Sequence, residues 1–155
     1  MELGDPLPKV TLRAADGTSV STERFRGRAL LLFVYPRADT PGCTQEARDF
    51  DALASEFEKM GVSVAGVSKD APDKLQRFAE KHSFAIPLLS DAESSLIEGL
   101  GAWGERSLYG RRYMGTERST FLFDADLLLR AEWRNVRVKG HADAVLTAMK
   151  AGVLA

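Results

Sequence analysis

The sequence predicts an α/β fold with a mixed central sheet, helices on both faces and an N-terminal β-hairpin. Three observations carry this. The run ALLLFVY, Ala29 to Tyr35, is continuously apolar, as a strand covered on both faces should be. A long helical stripe follows it and then a second apolar strand, VSVAGVS, giving a strand–helix–strand unit whose crossover is right-handed. Late in the chain two apolar runs flank Asp124-Ala125-Asp126 and read as an antiparallel pair.

In chain order, Val10–Leu12 and Ser19–Ser21 flank the turn dipeptide Asp16-Gly17 and make the first hairpin. Ala29–Tyr35 is the buried strand, and Pro36 ends it. Residues 41 to about 60 form a helix with Phe50, Leu53, Ala54, Phe57 and Met60 on one stripe. Val62–Ser68 is the next strand. Pro72 sits in the first turn of a helix whose inner face is Leu75, Phe78 and Ala79. Pro87–Leu89 is a short strand and Glu93–Gly99 a short helix. Gly101 to Glu117 holds four glycines and no clear period, so it is expected to be loop. Ser119–Phe123 and Leu127–Trp133 are the closing strands. A last helix starts near His141, with Val145, Leu146 and Met149 inward. This order is that of the thioredoxin fold, and it assigns no chemistry by itself.

Bulk properties exclude several classes of function. The 155 residues suit a single domain, 1–155, and 45% of them are hydrophobic, enough for a core without staples. A net charge of -1 gives no general attraction to nucleic acid or an anionic membrane. The longest apolar run is too short to span a bilayer. One cysteine, Cys43, and two distant histidines, His82 and His141, supply neither an internal disulfide nor a metal site, so no metal or cofactor is expected. The start, MELGDPLPKV, lacks a basic stretch followed by an apolar run, so a cytoplasmic location is expected, where a free thiol stays reduced.

Cys43 is the residue to explain. Thr40 suits an N-cap and Pro41 a first helical position, which places Cys43 in the first turn of a helix just beyond a buried strand. Ligands of α/β sheets sit at this end of the strands, and unpaired amides there favour an anion such as a thiolate. Moving a thiol from about 8.5 to about 6 requires roughly 3.4 kcal/mol. A helix terminus contributes up to ~2, so a cation is needed as well. Arg37, Arg48 and Arg118 are the candidates. The same cysteine also lies on the core-facing stripe of Ala47, Phe50, Ala54 and Phe57, so residue pattern alone leaves packing and chemistry both open.

The stretch YPRADTPGCTQEARDF, Tyr35 to Phe50, closely resembles the active-site segment of peroxiredoxins, and most of all the bacterioferritin comigratory protein or peroxiredoxin Q subfamily. Pro36, Thr40 and Cys43 meet the general pattern Pro-x-x-x-Thr-x-x-Cys. Asp39 through Glu46 meet the subfamily's Asp-Thr-Pro-Gly-Cys-Thr-x-Glu. Segments 66–91, 103–115 and 117–126 are also similar to this subfamily. The resemblance implies a thiol-dependent peroxidase reducing hydrogen peroxide and alkyl hydroperoxides. It implies that Cys43 attacks a peroxide oxygen and becomes sulfenic acid, that Thr40 hydrogen-bonds peroxide and thiolate, that Pro36 shields them from water, and that Arg118 holds both. Gly42, with its amide beside the thiolate, joins Pro36, Thr40 and Arg118 in binding substrate. Glu46 matches a family glutamate expected to orient Arg118, with a capping or solvent-facing role equally open. Trp103 and Tyr109 are candidates to wall the pocket, or simply to pack.

Many relatives carry a second cysteine five residues after the first, or on a later helix; here those positions are Arg48 and Ile97. A one-cysteine mechanism is therefore expected, with sulfenic acid recycled by an external thiol such as thioredoxin, glutaredoxin or a low-molecular-weight thiol. Arg48 is expected to be an ordinary solvated helix residue, and a monomer is expected. Other cysteine chemistries fit less well. A phosphate loop needs Cys-x5-Arg, whereas Cys43 to Arg48 is one residue short and Asp49 follows; a dithiol oxidoreductase needs C-x-x-C. A cysteine hydrolase would need a histidine base near the sulfur, whereas His82 falls near the apolar stripe of its helix and His141 at a helix start. The remaining alternative is a redox sensor or chaperone of the same fold with little turnover.

Overall fold

The apolar run at 29–35 becomes β3 (Ala29–Val34), an interior strand of a seven-stranded mixed sheet. The computed structural model describes residues 1–154. Before β3 come β1 (Thr11–Ala14), β2 (Ser19–Ser21) and a 3-10 turn at Thr22–Phe25. After it come α1 (Pro41–Lys59), β4 (Val62–Ser68), α2 (Pro72–His82), β5 (Leu88–Ser90) and α3 (Ser95–Gly99). The chain continues with β6 (Trp103–Leu108), β7 (Arg111–Thr116), β8 (Ser119–Phe123), β9 (Leu129–Trp133) and α4 (His141–Lys150). The sheet order is β2-β1-β5-β4-β3-β8-β9, with β5, β4 and β3 parallel and the outer pairs antiparallel.

Strand alternation divides the core in two. Leu31, Phe33 and Tyr35 face one side, packed with Phe50 and Phe57 of α1, Phe78 of α2 and Val145 and Met149 of α4. Leu30, Leu32 and Val34 face the other, with Leu96 and Ile97 of α3 and Leu7 of the N-terminal segment. Helices thus cover both faces of a mixed sheet, as expected. Ile97 is a core residue.

Three expectations need correction. The 101–117 region is not loop: β6 and β7 pair antiparallel from Trp103↔Thr116 to Leu108↔Arg111. Their turn is Tyr109-Gly110, with φ of 51° and 79°, the geometry of a two-residue hairpin turn. A tyrosine at a left-handed position hides that turn from composition. The second closing strand starts at Leu129 rather than Leu127, because Leu127 itself adopts φ 61° and completes the turn onto Asp124. Met60 does not continue the inner stripe of α1; it caps the helix and is exposed.

Gly66 has a specific task. It sits opposite Phe33 in the β3–β4 register, and a Cβ there would lie 2.6 Å from the Phe33 ring. The bare backbone lets Phe33 stack on Phe50 of α1 at 4.8 Å between centroids. This contact seats the helix that carries Cys43. Gly66→Ala should therefore destabilise the fold by about 1–3 kcal/mol through overpacking, measured as a lowered denaturant midpoint with an unchanged slope.

Candidate active site

Cys43 occupies the third position of α1, after Thr40 at the cap and Pro41 in the first turn. The first helical hydrogen bond runs from Thr44 N to Thr40 O, so the amides of Gly42 and Cys43 precede the ladder and have no helical acceptor. Cys43 is 1% exposed. Its sulfur receives a hydrogen bond from Arg118 Nη2 at 3.2 Å.

Sheet register brings Arg118 there. Val34 at the end of β3 pairs with Ser119 at the start of β8, so the residue before Ser119 arrives at the carboxyl end of β3, where α1 begins. Arg118 Nη1 is ion-paired with Glu46 Oε1 at 2.6 Å. Glu46 faces Arg118 and is buried rather than turned to solvent. Gly42 completes the packing: a Cβ there would lie 3.3 Å from Arg118 Nη2, so the guanidinium rests against bare backbone.

Electrostatics follow from burial. Glu46 is 1% exposed, and its Oε2 has no hydrogen-bond partner among the described residues. Burial pushes its carboxyl up to about 7, with Arg118 pulling the other way. Burial also works against the charge of Arg118, but Glu46 and Cys43 outweigh it and hold its pKa above the usual arginine value. His141 lies close by, at the start of α4. It is buried, shares a 2.8 Å hydrogen bond with Thr120 Oγ1 and sets its ring edge-on to Phe50. Burial, and then the charge of Arg118, push it down to about 4, so it is neutral at neutral pH.

The other candidate residues are placed as follows. Thr40 holds the cap position, but its side chain accepts no hydrogen bond from the helix amides; its hydroxyl donates to Arg37 O at 2.9 Å. Pro36 is exposed on the loop leading into α1. Arg37 is exposed, and Arg48 lies on the outside of α1 with its guanidinium on His82 Nδ1 at 3.3 Å. Of the three candidate cations, the structure puts Arg118 at the sulfur. Tyr109 is 97% exposed at the hairpin tip and walls nothing. Trp103 packs against the opposite core, with Lys69 Nζ 3.8 Å from its ring centroid.

Sequence reasoning missed Asp70. One of its carboxylate oxygens accepts from Ala38 N at 2.7 Å and from Ser68 Oγ at 2.8 Å, which stakes the 36–40 loop to the end of β4. A polar Ser-x-Asp just past a buried parallel strand was the available signal. Among the described residues no group of His, Cys, Asp and Glu could hold a metal ion, and no helix is long and apolar enough to cross a membrane.

On a thioredoxin-like sheet, a buried lone cysteine at a helix start is thus gripped by an arginine that a buried glutamate holds. The AhpC/TSA family model matches residues 3–132, and the chain belongs to that family. Within it the relatives are of the Bcp or peroxiredoxin Q kind. The chain is 41% identical to peroxiredoxin Bcp of Xanthomonas campestris over 90% of its length and 88% of the relative's. It is 40% identical to peroxiredoxin Bcp of Escherichia coli over 97% of its length and 96% of the relative's. A cysteine-to-serine mutant of Xylella fastidiosa PrxQ superposes with a TM-score of 0.91 at 33% identity, covering 97% of this chain and 96% of that one. Bacterioferritin comigratory protein of Xanthomonas campestris, solved as trapped intermediate/ligand complexes bearing on its alkyl peroxide reduction activity, superposes with a TM-score of 0.88 at 38% identity, covering 96% and 99% of the two chains. The chain is a thiol-dependent peroxidase with one cysteine.

The two shifted groups oppose each other in stability. Glu46 is raised, so the folded state binds the extra proton between about 4.5 and 7, and stability falls as pH rises through that window. His141 is lowered, so the unfolded state binds the extra proton between about 4 and 6.5, and stability rises with pH there. Each effect is worth roughly 3 kcal/mol, and they offset. Glu46→Gln should remove one of them. Denaturant titrations should then show stability climbing from pH 4 to 6.5 in the variant by roughly 3 kcal/mol more than in the wild type.

Proposed function

We propose that Cys43 reduces hydroperoxides through a sulfenic acid and is recycled by an external thiol. The observation that carries this reading is Arg118 bridging Cys43 Sγ and Glu46 in a chain with no second cysteine. In the first half-reaction the Cys43 thiolate attacks one peroxide oxygen. An S–O bond forms, the O–O bond breaks, sulfur is oxidised and the peroxide reduced. The departing oxygen takes up a proton and leaves as water or alcohol. Arg118 and the amides of Gly42 and Cys43 stabilise the charge that develops there. With its proton given to Arg37 O, the Thr40 hydroxyl presents its oxygen as an acceptor for the peroxide O–H. Pro36 shields the reacting pair, and Glu46 fixes the guanidinium.

In the second half-reaction a thiol attacks the sulfenic sulfur. A mixed disulfide forms and water leaves; a second thiol then releases Cys43 and departs as a disulfide. Thioredoxin, glutaredoxin or a low-molecular-weight thiol all fit this step. The protein is proposed to act as a monomer in the cytoplasm, on hydrogen peroxide and alkyl hydroperoxides, without a cofactor.

Stopped-flow oxidation of the reduced protein tests the reading. Oxidation should vanish in Cys43→Ser and fall about a hundredfold in Arg118→Ala. Mass spectrometry after peroxide and thiol should show the mixed disulfide. A covalent protein dimer as the productive intermediate would overturn the recycling step. Wild-type oxidation no faster than that of a free thiol would move the protein to a sensor or chaperone role.

A further inference from the structure

Sheet register carries the chain to the end of β3, but it stops one residue short of Arg118. The β3–β8 pairing begins at Val34↔Ser119 and the β8–β9 pairing at Thr120↔Trp133, so Arg118 lies just outside both ladders. Its backbone carbonyl accepts from Val136 N at 2.9 Å, and Glu117 N before it donates to Ala102 O at 2.7 Å. A cluster of side chains centred on Glu117, outside the site described above, adds to these two bonds.

Glu117 gathers donors from two neighbouring segments. Its Oε2 accepts from Ser119 Oγ at 2.7 Å, from Arg134 Nε at 2.7 Å and from Asn135 N at 3.3 Å. Burial works against its charge, but Ser119, Arg134 and the Asn135 amide outweigh that and hold its carboxyl below the usual glutamate range. Arg134 extends the anchor to a third segment, just past α3. Its Nη1 donates to Leu100 O at 3.1 Å and its Nη2 to Gly101 O, while the guanidinium lies 5.5 Å from the centroid of the Phe121 ring. One planar fork serves all three acceptors at once.

Geometry passes this hold to Arg118. Successive side chains of an extended chain leave on opposite sides. Glu117 and Ser119 meet on one side, so Arg118 between them leaves on the other, toward Cys43 and Glu46. Glu46 fixes the guanidinium, and Glu117 fixes the backbone from which it reaches. We propose that Glu117 is a positioning residue for the peroxide step: clasped by Ser119 and Arg134, it sets the line along which Arg118 approaches Cys43 Sγ. This rests on the role given to Arg118 in the proposed function above. With the clasp loosened, Arg118 leans on Glu46 and its place relative to the sulfur varies. A donor that stabilises developing charge loses rate steeply with such displacement.

The test uses Glu117→Gln, which keeps the shape and removes the charge, and Arg134→Lys, which keeps the charge and removes the fork. Each is compared with the wild type at a temperature where denaturant titration shows it folded. Two readouts are taken on the reduced protein. Nitrogen-15 NMR follows solvent exchange of the Arg118 guanidinium protons, assigned by their loss in Arg118→Ala; exchange should quicken about three- to tenfold in both variants. Stopped-flow follows oxidation by hydrogen peroxide, which should slow about three- to tenfold in both. In an Arg118→Ala background, Glu117→Gln should lower the rate by less than about twofold, because its effect runs through the missing guanidinium. Unchanged exchange in either variant overturns the proposal. So does an unchanged peroxide rate, or an equal fall with Arg118 absent, which would leave Glu117 a structural residue only. The exchange readout needs no peroxidase activity, so the hold on Arg118 is decided even if Arg118→Ala leaves oxidation unchanged and the role given to Arg118 fails.

Discussion

The site depends on one guanidinium. Arg118 is held at 2.6 Å by Glu46 and reaches Cys43 Sγ at 3.2 Å. Its planar fork makes this possible: one nitrogen is fixed by a carboxylate while another addresses the sulfur. A lysine would offer a point charge and could not hold both partners in one plane. The surroundings follow from this choice. Gly42 must be bare because the guanidinium rests against it, and Glu46 must be buried because a solvated carboxylate would not hold one geometry.

Burying that carboxylate strains the balance of charge. Glu46 leaves one oxygen without a partner and is raised to about 7, while His141, a few side chains away, is lowered to about 4. Both shifts have the same cause, the removal of charge from water, and they act with opposite signs on stability. Packing holds the arrangement in place. Phe50 stacks on Phe33 and meets the His141 ring edge-on, so the helix carrying Cys43 and the helix carrying His141 share one aromatic seat.

Much of this was legible in the sequence. The strands at 29–35 and 62–68, the helices starting at Pro41 and Pro72 and the turn at Asp16-Gly17 carry signals within a few residues of themselves. Periodicity, proline position and turn dipeptides suffice there. The 103–116 hairpin was not legible, because its glycines mask the alternation and its turn uses a tyrosine. In the site, Pro36, Thr40, Cys43, Glu46 and Arg118 were all singled out, through a motif rather than through periodicity. Asp70 and the Arg48–His82 contact were not. Each joins segments more than thirty residues apart through one side-chain contact, and no local pattern marks such a contact.

By itself the sequence determined that a cysteine sits in the first turn of a helix, behind a proline and a threonine, at the end of a buried strand. Those features are local, and backbone preference and burial enforce them wherever the segment lies. Only the tertiary structure decided which cation meets the sulfur. Arg37 and Arg48 are close to Cys43 in the chain and point elsewhere; Arg118, seventy-five residues away, makes the contact. The reason is sheet register. The hydrogen bonds that pair Val34 with Ser119 deliver Arg118 to the end of β3, and a pairing between distant strands is a property of the folded sheet.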